Sequence, residues 1–241
     1  MMSPRLNEIW VYLAASPLIG LTATLIAYVF AFRIYERARF SPLANPVMIS
    51  VAILVTVLTV TGTPYKTYFD GAQFVHFLLG PATVALAVPL YTQLPKLRTN
   101  VFPLLCGLVA GSFAAVVSAV GIAYALGATP DVIRSLAPKS VTIPIAMGVS
   151  EKIGGLPSLT AVLVMATGII GAVTATGLLN LLRVRDYTVR GFATGVAAHG
   201  IGTARAFQVS QEAGAFSALG MGLNGVLTAI MVPVLAAWMP H

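Results

Sequence analysis

Apolar residues run through the chain in long stretches, and its polar positions gather at a few places between or inside them. Five stretches, 9–32, 43–62, 101–127, 157–182 and 213–239, each approach or exceed the roughly 20 residues a helix needs to cross a hydrocarbon core of about 30 Å. Three more, 72–94, 131–154 and 187–207, are apolar enough to enter a bilayer but are interrupted by Pro, Gly and polar side chains. No hydrophilic stretch is long enough to form a soluble domain. The pattern predicts an all-α integral membrane protein: a polytopic helical bundle with internal repeats and discontinuous helices, re-entrant or broken. The whole chain, 1–241, reads as one membrane domain. Residues 9–62 would supply a scaffold, and 63–241 a transport core of broken helices each followed by a span.

Composition supports this reading. Apolar residues make up 58% of the chain and charged residues 9%, where a soluble domain carries about 25% charged residues. The mean hydropathy is +0.90. The first stretch is too long for a signal-peptide core, and "FRIYERARF" follows it without a small-residue cleavage pattern, so it is expected to be a retained helix. Trp10 and Trp238 stand at the two ends of the apolar part, where amphipathic rings favour the interface. Cys106 is the only cysteine, lies inside an apolar run and is expected to pack rather than react. The net charge of +7 would suggest nucleic acid in a soluble protein. Here the basic residues flank apolar spans, which points to orientation by cytoplasmic Lys and Arg. Arg33, Arg37 and Arg39 follow the first stretch; Lys96 and Arg98 precede 101–127; Arg183, Arg185 and Arg190 follow 157–182. If the last two sets are both cytoplasmic, 101–127 and 157–182 run in opposite directions, and a re-entrant 131–154 keeps the count consistent.

The interrupted segments repeat. "LGPATVAL" (79–86) aligns with "LAPKSVTI" (136–143) at an offset of 57, which also places Gly111 on Gly168 and Ala115 on Ala172. "GIIGAVTA" (168–175) aligns with "GLNGVLTA" (222–229) at an offset of 54. Such repetition marks a supersecondary unit used more than once. Pro81 and Pro138 remove a backbone donor and are expected to break helices. At membrane depth such breaks persist where protein or a polar cavity satisfies the freed groups, the arrangement secondary transporters use to build a midplane site. The alternative is a proline kink that serves packing alone.

The candidate ligand groups lie at these breaks. The first offers Thr83; the second offers Lys139, Ser140 and Thr142. Lys139 reads either as an interfacial lysine whose stem snorkels to water or as the counter-ion of a carboxylate. Glu151 and Lys152 read as an ordinary exposed pair at a helix end. The third break is "AAHGIGTARAF" (197–207), with the interruption expected around Gly200 to Gly202. Gly191, Gly195, Ala198 and Gly202 recur at spacings of four, three and four, a small-residue face that lets another helix approach. Within this stretch His199, Gly200, Thr203 and Arg205 are candidate substrate contacts. An intramembrane arginine is costly and suits bidentate carboxylate binding; the competing reading puts Arg205 at the interface beside Arg190. His199 is either a packed, hydrogen-bonded histidine or a proton carrier. Asn224, inside the last stretch, is either a cross-helix hydrogen-bonding group or a further ligand. No phosphate-binding Gly-Lys loop, nucleophile elbow or His-Glu-x-x-His motif occurs, so no enzyme activity, cofactor or metal is expected. Coupling to H+ or Na+ is left open.

"FLLGPATVALAVPLY", "LAPKSVTIPIA", "GGLPSLTAVLVMATGIIGAV" and "RGFATGVAAHGIGTARAFQ…EAGAFSALGMGLNG" resemble the LrgB/CidB family of bacterial membrane proteins over about residues 43–238. They are also similar to the C-terminal half of the plant plastidal glycolate/glycerate translocator. "SVTIPIA" departs from the commoner "SVTTPIA", and 9–32 carries no family signal. The resemblance implies a multi-pass protein of the bacterial cytoplasmic (inner) membrane, and two functions. One is transport of small monocarboxylates such as glycolate, glycerate, pyruvate or lactate. The other is antiholin-like regulation, or export, of murein hydrolase activity with a small LrgA/CidA-type partner. A third class compatible with the residues is an anion channel. The convergent polar groups at the breaks favour a transporter working by alternating access, with a homodimer as the expected assembly.

Overall fold

The computed structural model describes residues 17–41, 44–85 and 87–239. Trp10 and the start of the first apolar stretch lie outside the described residues. Among the described residues the secondary structure is entirely helical: α1 (Pro17–Arg37), α2 (Pro46–Thr61), α3 (Tyr65–Ala85), α4 (Ala87–Thr92), α5 (Leu94–Thr99), α6 (Val101–Ala125), α7 (Pro130–Leu136), α8 (Ile143–Lys152), α9 (Pro157–Leu181), α10 (Tyr187–Val209) and α11 (Gln211–Ala236). Four described helices are long and apolar enough to cross a membrane: α1, α6, α9 and α11. The stretch 43–62 corrects one expectation. Its helix α2 has 16 residues, about 24 Å of rise, which is short of the hydrocarbon thickness. Asn45 caps its start by accepting from Val47 N–H at 2.9 Å, and Gly62 at φ +65° ends it.

The chain divides into two compact units after Ala85. In the first unit, α1 packs on α2 and α3. Gly20 makes this approach close, since a Cβ there would lie 2.7 Å from the Ala72 backbone nitrogen. The Thr24 and Tyr68 hydroxyls hydrogen-bond at 2.7 Å. Pro81 lies inside α3, which continues to Ala85, so the helix does not stop where the sequence suggested. A proline costs a helix one hydrogen bond and bends it, and the neighbouring turns of α3 still close. Thr83 belongs to the same helix, and its side chain lies outside the described ones.

The second unit holds the short α4 and α5, three long helices and two helical hairpins. α6 buries Leu104, Leu108, Ser112, Val116, Ala119 and Ala123, a stripe spaced by three and four residues. α9 buries Thr160, Val164, Gly168 and Ala172 in the same way. Their other faces expose Phe102, Val109, Ile170 and Leu181, side chains suited to lipid. Gly127 at φ +76° follows α6, and Pro130 opens α7.

The first hairpin is α7, the turn 137–142 and α8. Both helices pack on α9, and three hydroxyls are buried where the end of α7, the end of α8 and the start of α9 meet. Ser135 Oγ accepts from Leu156 N–H at 2.8 Å, and Thr160 Oγ1 lies 3.0 Å from Ser135 O and 2.7 Å from Ser150 Oγ. Gly155 approaches the Ser135 backbone so closely that a Cβ would sit 2.9 Å from its nitrogen. α9 then starts at Pro157.

The second hairpin is α10 itself. Its dihedrals leave the helical region at Ala198 (φ −128°, ψ 16°) and His199 (φ 41°, ψ −135°). The two arms run back to back. A Cβ on Gly202 would lie 3.1 Å from the Thr194 carbonyl oxygen, although eight residues of straight helix would separate them by about 12 Å. Gly191 and Gly195 touch the backbone carbonyls of Ala213 and Ser217 on α11, while Gly214 touches Phe207. The inward arm is therefore parallel to α11 and the outward arm antiparallel to it. The interruption falls at Ala198–His199, not at Gly202, which instead keeps the two arms in contact. Asp186 caps the inward arm, accepting from Thr188 and Val189 N–H at 2.7 and 3.2 Å. These bonds hold its carboxyl below the usual carboxylate range.

These connections give α9 and α11 opposite senses. The first hairpin joins the end of α6 to the start of α9. The second joins the end of α9 to the start of α11 from the other end of the unit. Lys96 Nζ pairs with Glu212 Oε1 there, which also accepts from Thr188 Oγ1 at 2.9 Å. The hydrogen bond to Glu212 raises the Lys96 ammonium above its ordinary pKa. Lys96, Arg98, Arg183, Arg185 and Arg190 therefore share one end of the unit.

Candidate functional site

The turn of each hairpin reaches the middle of a long helix. Asn224 lies at the centre of α11 and is buried. Its Nδ2 donates to Val196 O, one residue before Ala197 and the second turn, at 2.9 Å, and to Ser140 O of the first turn at 3.3 Å. Its Oδ1 accepts from Ser112 Oγ, at mid-height of α6, and from Thr228 Oγ1 at 3.3 Å. Both lone pairs and both protons of the amide are thereby used. Asn224 is a cross-helix hydrogen-bonding group that ties the two hairpin tips to each other.

The other residues of the second tip are also held. His199 Nε2–H donates to Val164 O of α9 at 2.9 Å, and the ring is 4% exposed. Its positive φ is a conformation L-residues seldom adopt, and the bond to α9 helps fix it. Gly168 and Gly171 make room: a Cβ on Gly168 would lie 2.7 Å from the imidazole, and one on Gly171 would meet Ala198 Cβ. The repeated Gly-x-x-Gly core is thus where α9 receives the second tip. Its counterpart on α11 receives the first hairpin, where a Cβ on Gly225 would lie 2.9 Å from Ile145 Cδ1. Thr203 Oγ1 donates to His199 O at 2.8 Å and accepts from Ser217 Oγ at 2.9 Å.

At the first tip, Pro138 lies buried in the turn between α7 and α8. Ser140 is buried, and Thr142 precedes α8 without its hydroxyl accepting a capping hydrogen bond. Lys139 is half-buried and has no carboxylate within salt-bridge distance among the described residues. The structure therefore gathers Ser140, His199, Thr203 and Asn224 at adjoining tips, with Lys139, Thr142 and Gly200 beside them in sequence. Arg205 is not among them. It stands at the base of the second hairpin and lines a pocket with Arg190, because the reversal at His199 carries the outward arm back to the end where α10 began. Ser112 and Thr228 were missed from the sequence; hydroxyls in apolar helices carry no signal until the opposing Asn is known. Pro81 and Thr83 belong to the first unit.

Long apolar helices joined by inward-reaching hairpins define a multi-pass helical membrane protein. The LrgB-like family model matches residues 24–238, and the chain belongs to this family. Protein YwbG of Bacillus subtilis is 36% identical over 222 residues, covering 92% of this chain and 98% of that protein. YxaC of the same organism is 33% identical over 228 residues, covering 95% and 98%. The holin-like protein CidB of Staphylococcus aureus is 31% identical over 218 residues, covering 90% and 95%. No solved structure matches.

Proposed function

We propose that the protein is a secondary transporter of small monocarboxylates that works by alternating access. The observation carrying this reading is that two hairpins entering from opposite ends meet at Asn224, with Lys139, which has no carboxylate partner among the described residues, at one tip. Repeats of opposite sense with discontinuous helices are the architecture from which secondary transporters build midplane sites. The arms are of half-membrane length. α8 and the outward arm of α10 each have about ten residues, or about 15 Å of rise, half of a 30 Å core. Both begin at the tips, so two helix N-termini, the ends that favour anions, approach the middle of the unit. In this reading Lys139 supplies the counter-charge of a carboxylate, with Thr142 and the backbone at Gly200 available for a hydroxyl or keto oxygen. Alternating access corresponds to one tip parting from Asn224 while the other stays bound. The basic end, with Arg183, Arg185 and Arg190, faces the cytoplasm by the positive-inside rule, in a bacterial cytoplasmic membrane.

Uptake of labelled glycolate, lactate and pyruvate into proteoliposomes under imposed H+ or Na+ gradients tests this. Saturable uptake with counterflow is the expected result, and no uptake under any gradient overturns it. The name of the staphylococcal relative supports a second reading, a holin-like protein. That reading predicts leakage of trapped dye and indifference to Lys139.

A further inference from the structure

We propose that the cleft between α6 and the inward arm of α10 holds one acyl chain of an anionic phospholipid, with the phosphate at the basic end of the unit near Arg98. The cleft encloses about 290 Å³, close to the lower bound of about 300 Å³ for pockets that take small molecules. Gly107 and Gly111 of α6 and Ala193 and Ala197 of α10 line it from opposite walls. Small residues on neighbouring membrane helices usually let the backbones close up. Here they leave space instead: a Cβ on Gly107 would meet nothing within 4 Å. Protein interiors are close-packed, and an unfilled space of this size forfeits contacts along every wall. The shape of the cleft selects its occupant. From Thr188 to Ala197 it follows the inward arm for about 13 Å, nearly the depth of one leaflet's hydrocarbon, about 15 Å. Among the described residues lining it only Asn100 and Thr188 are polar, and both lie at the basic end. Asn100 Nδ2 donates to Lys96 O at 2.8 Å, and Thr188 Oγ1 donates to Glu212, the partner of Lys96. A polar mouth over an apolar interior of leaflet depth suits a lipid and not a transported anion. A helix is too bulky to enter, since one turn with its side chains takes about 400 Å³. The mouth also carries surplus positive charge. Glu212 neutralises Lys96, and Asp186 caps the inward arm. Arg98, two residues before Asn100, is exposed and has no carboxylate within salt-bridge distance among the described residues. Basic residues at a membrane surface attract anionic headgroups. The proposal is independent of the transport reading, because Lys139 does not line the cleft.

The test uses the full-length protein, purified lipid-free in detergent. Its thermal unfolding is followed with added phosphatidylglycerol or with phosphatidylcholine of the same acyl chains. Phosphatidylglycerol is expected to raise Tm by several degrees and phosphatidylcholine by clearly less. Gly107→Phe, which fills the cleft, should keep the fold and lose the rise. Gly121→Phe, at another open position of α6, should retain it. Arg98→Gln should remove the preference for phosphatidylglycerol. Native mass spectra should show phosphatidylglycerol retained on the unmodified protein and absent from Gly107→Phe. If Gly107→Phe fails to fold, Ala193→Leu on the opposite wall replaces it in both measurements. A rise and a bound lipid that survive the cleft-filling variant overturn the proposal, as does a response that ignores headgroup charge. A dimer that holds no lipid and that Gly107→Phe splits assigns the cleft to a second copy and overturns it equally. Lys139→Met should keep the full lipid response, which separates this site from the transport site.

Discussion

Asn224 is the residue with most to lose. Replacing it with alanine leaves the Ser140 and Val196 carbonyls and the Ser112 hydroxyl without their shared partner. Unsatisfied buried groups cost about 1–3 kcal/mol each, so Asn224→Ala should lower Tm by many degrees in a detergent melt. Asn224→Asp retains the acceptor but not the donors and should also destabilise. An unchanged Tm in both would mean that the tips are held by something else. Lys139 makes a different prediction. It bears a charge with no acidic partner among the described residues, so Lys139→Met should leave the melt nearly unchanged and, in the transport reading, reduce monocarboxylate uptake at least tenfold. If Lys139→Met transports normally, the counter-charge is elsewhere. Arg205 shows how sequence position can mislead: nothing in "AAHGIGTARAF" reveals that the chain turns back before reaching it.

The second hairpin depends as an element on glycines and on its cap. At Gly191 and Gly195 an added methyl group would strike the Ala213 and Ser217 carbonyl oxygens, which are backbone and cannot rotate away. Gly195→Ala should therefore force the inward arm off α11, costing about 1–3 kcal/mol or more as an overpacking change. Gly177→Ala, with nothing within 4 Å, should be tolerated. Limited proteolysis of the 182–186 loop would report the difference. Asp186 gives the arm a pH dependence. Its carboxyl titrates below its unfolded value because Val189 and Thr188 N–H bond to its ionised form. The stabilisation is therefore complete above the ordinary carboxylate pKa and is lost as pH falls through the depressed value. Asp186→Ala removes a cap worth about 1 kcal/mol and should flatten the acid limb of the stability curve. A limb of unchanged steepness would assign that limb to other carboxylates.

For the whole molecule, the opposite senses of α9 and α11 put the two hairpin bases on opposite faces of a membrane. An impermeant maleimide applied to intact cells should label Glu151→Cys, at the end of α8, but not Arg185→Cys, both in a Cys106→Ser background. Permeabilised cells should label both. Equal labelling of the two in intact cells would refute the topology. In the proposed transport cycle one tip would part from the amide while the other remains bound, a step that a simple pore does not need.

The sequence by itself determined the solvent, the helical class and the family, and of the three interruptions it predicted it located the one at Pro138 and came within a few residues of the one at Ala198 and His199. Those depend on composition and on residues whose effect is local: apolar runs, Pro138 in its turn, and the repeated Gly-x-x-Gly cores at 168 and 222. It did not determine how sharply the chain turns at an interruption. Pro81 proved compatible with a continuing helix, whereas Ala198 and His199, with no proline nearby, reverse the chain. That difference comes from contacts made at a distance: the carbonyl of Val164, the space left by Gly168 and Gly171, and the amide of Asn224. Nor do the long helices announce their buried faces, because lipid-facing and protein-facing sides are equally apolar. Only the tertiary structure decided which hydroxyls meet Asn224 and that Arg205 stands beside Arg190. A hairpin's reversal brings residues fifteen apart together, and no local pattern of side chains encodes that distance.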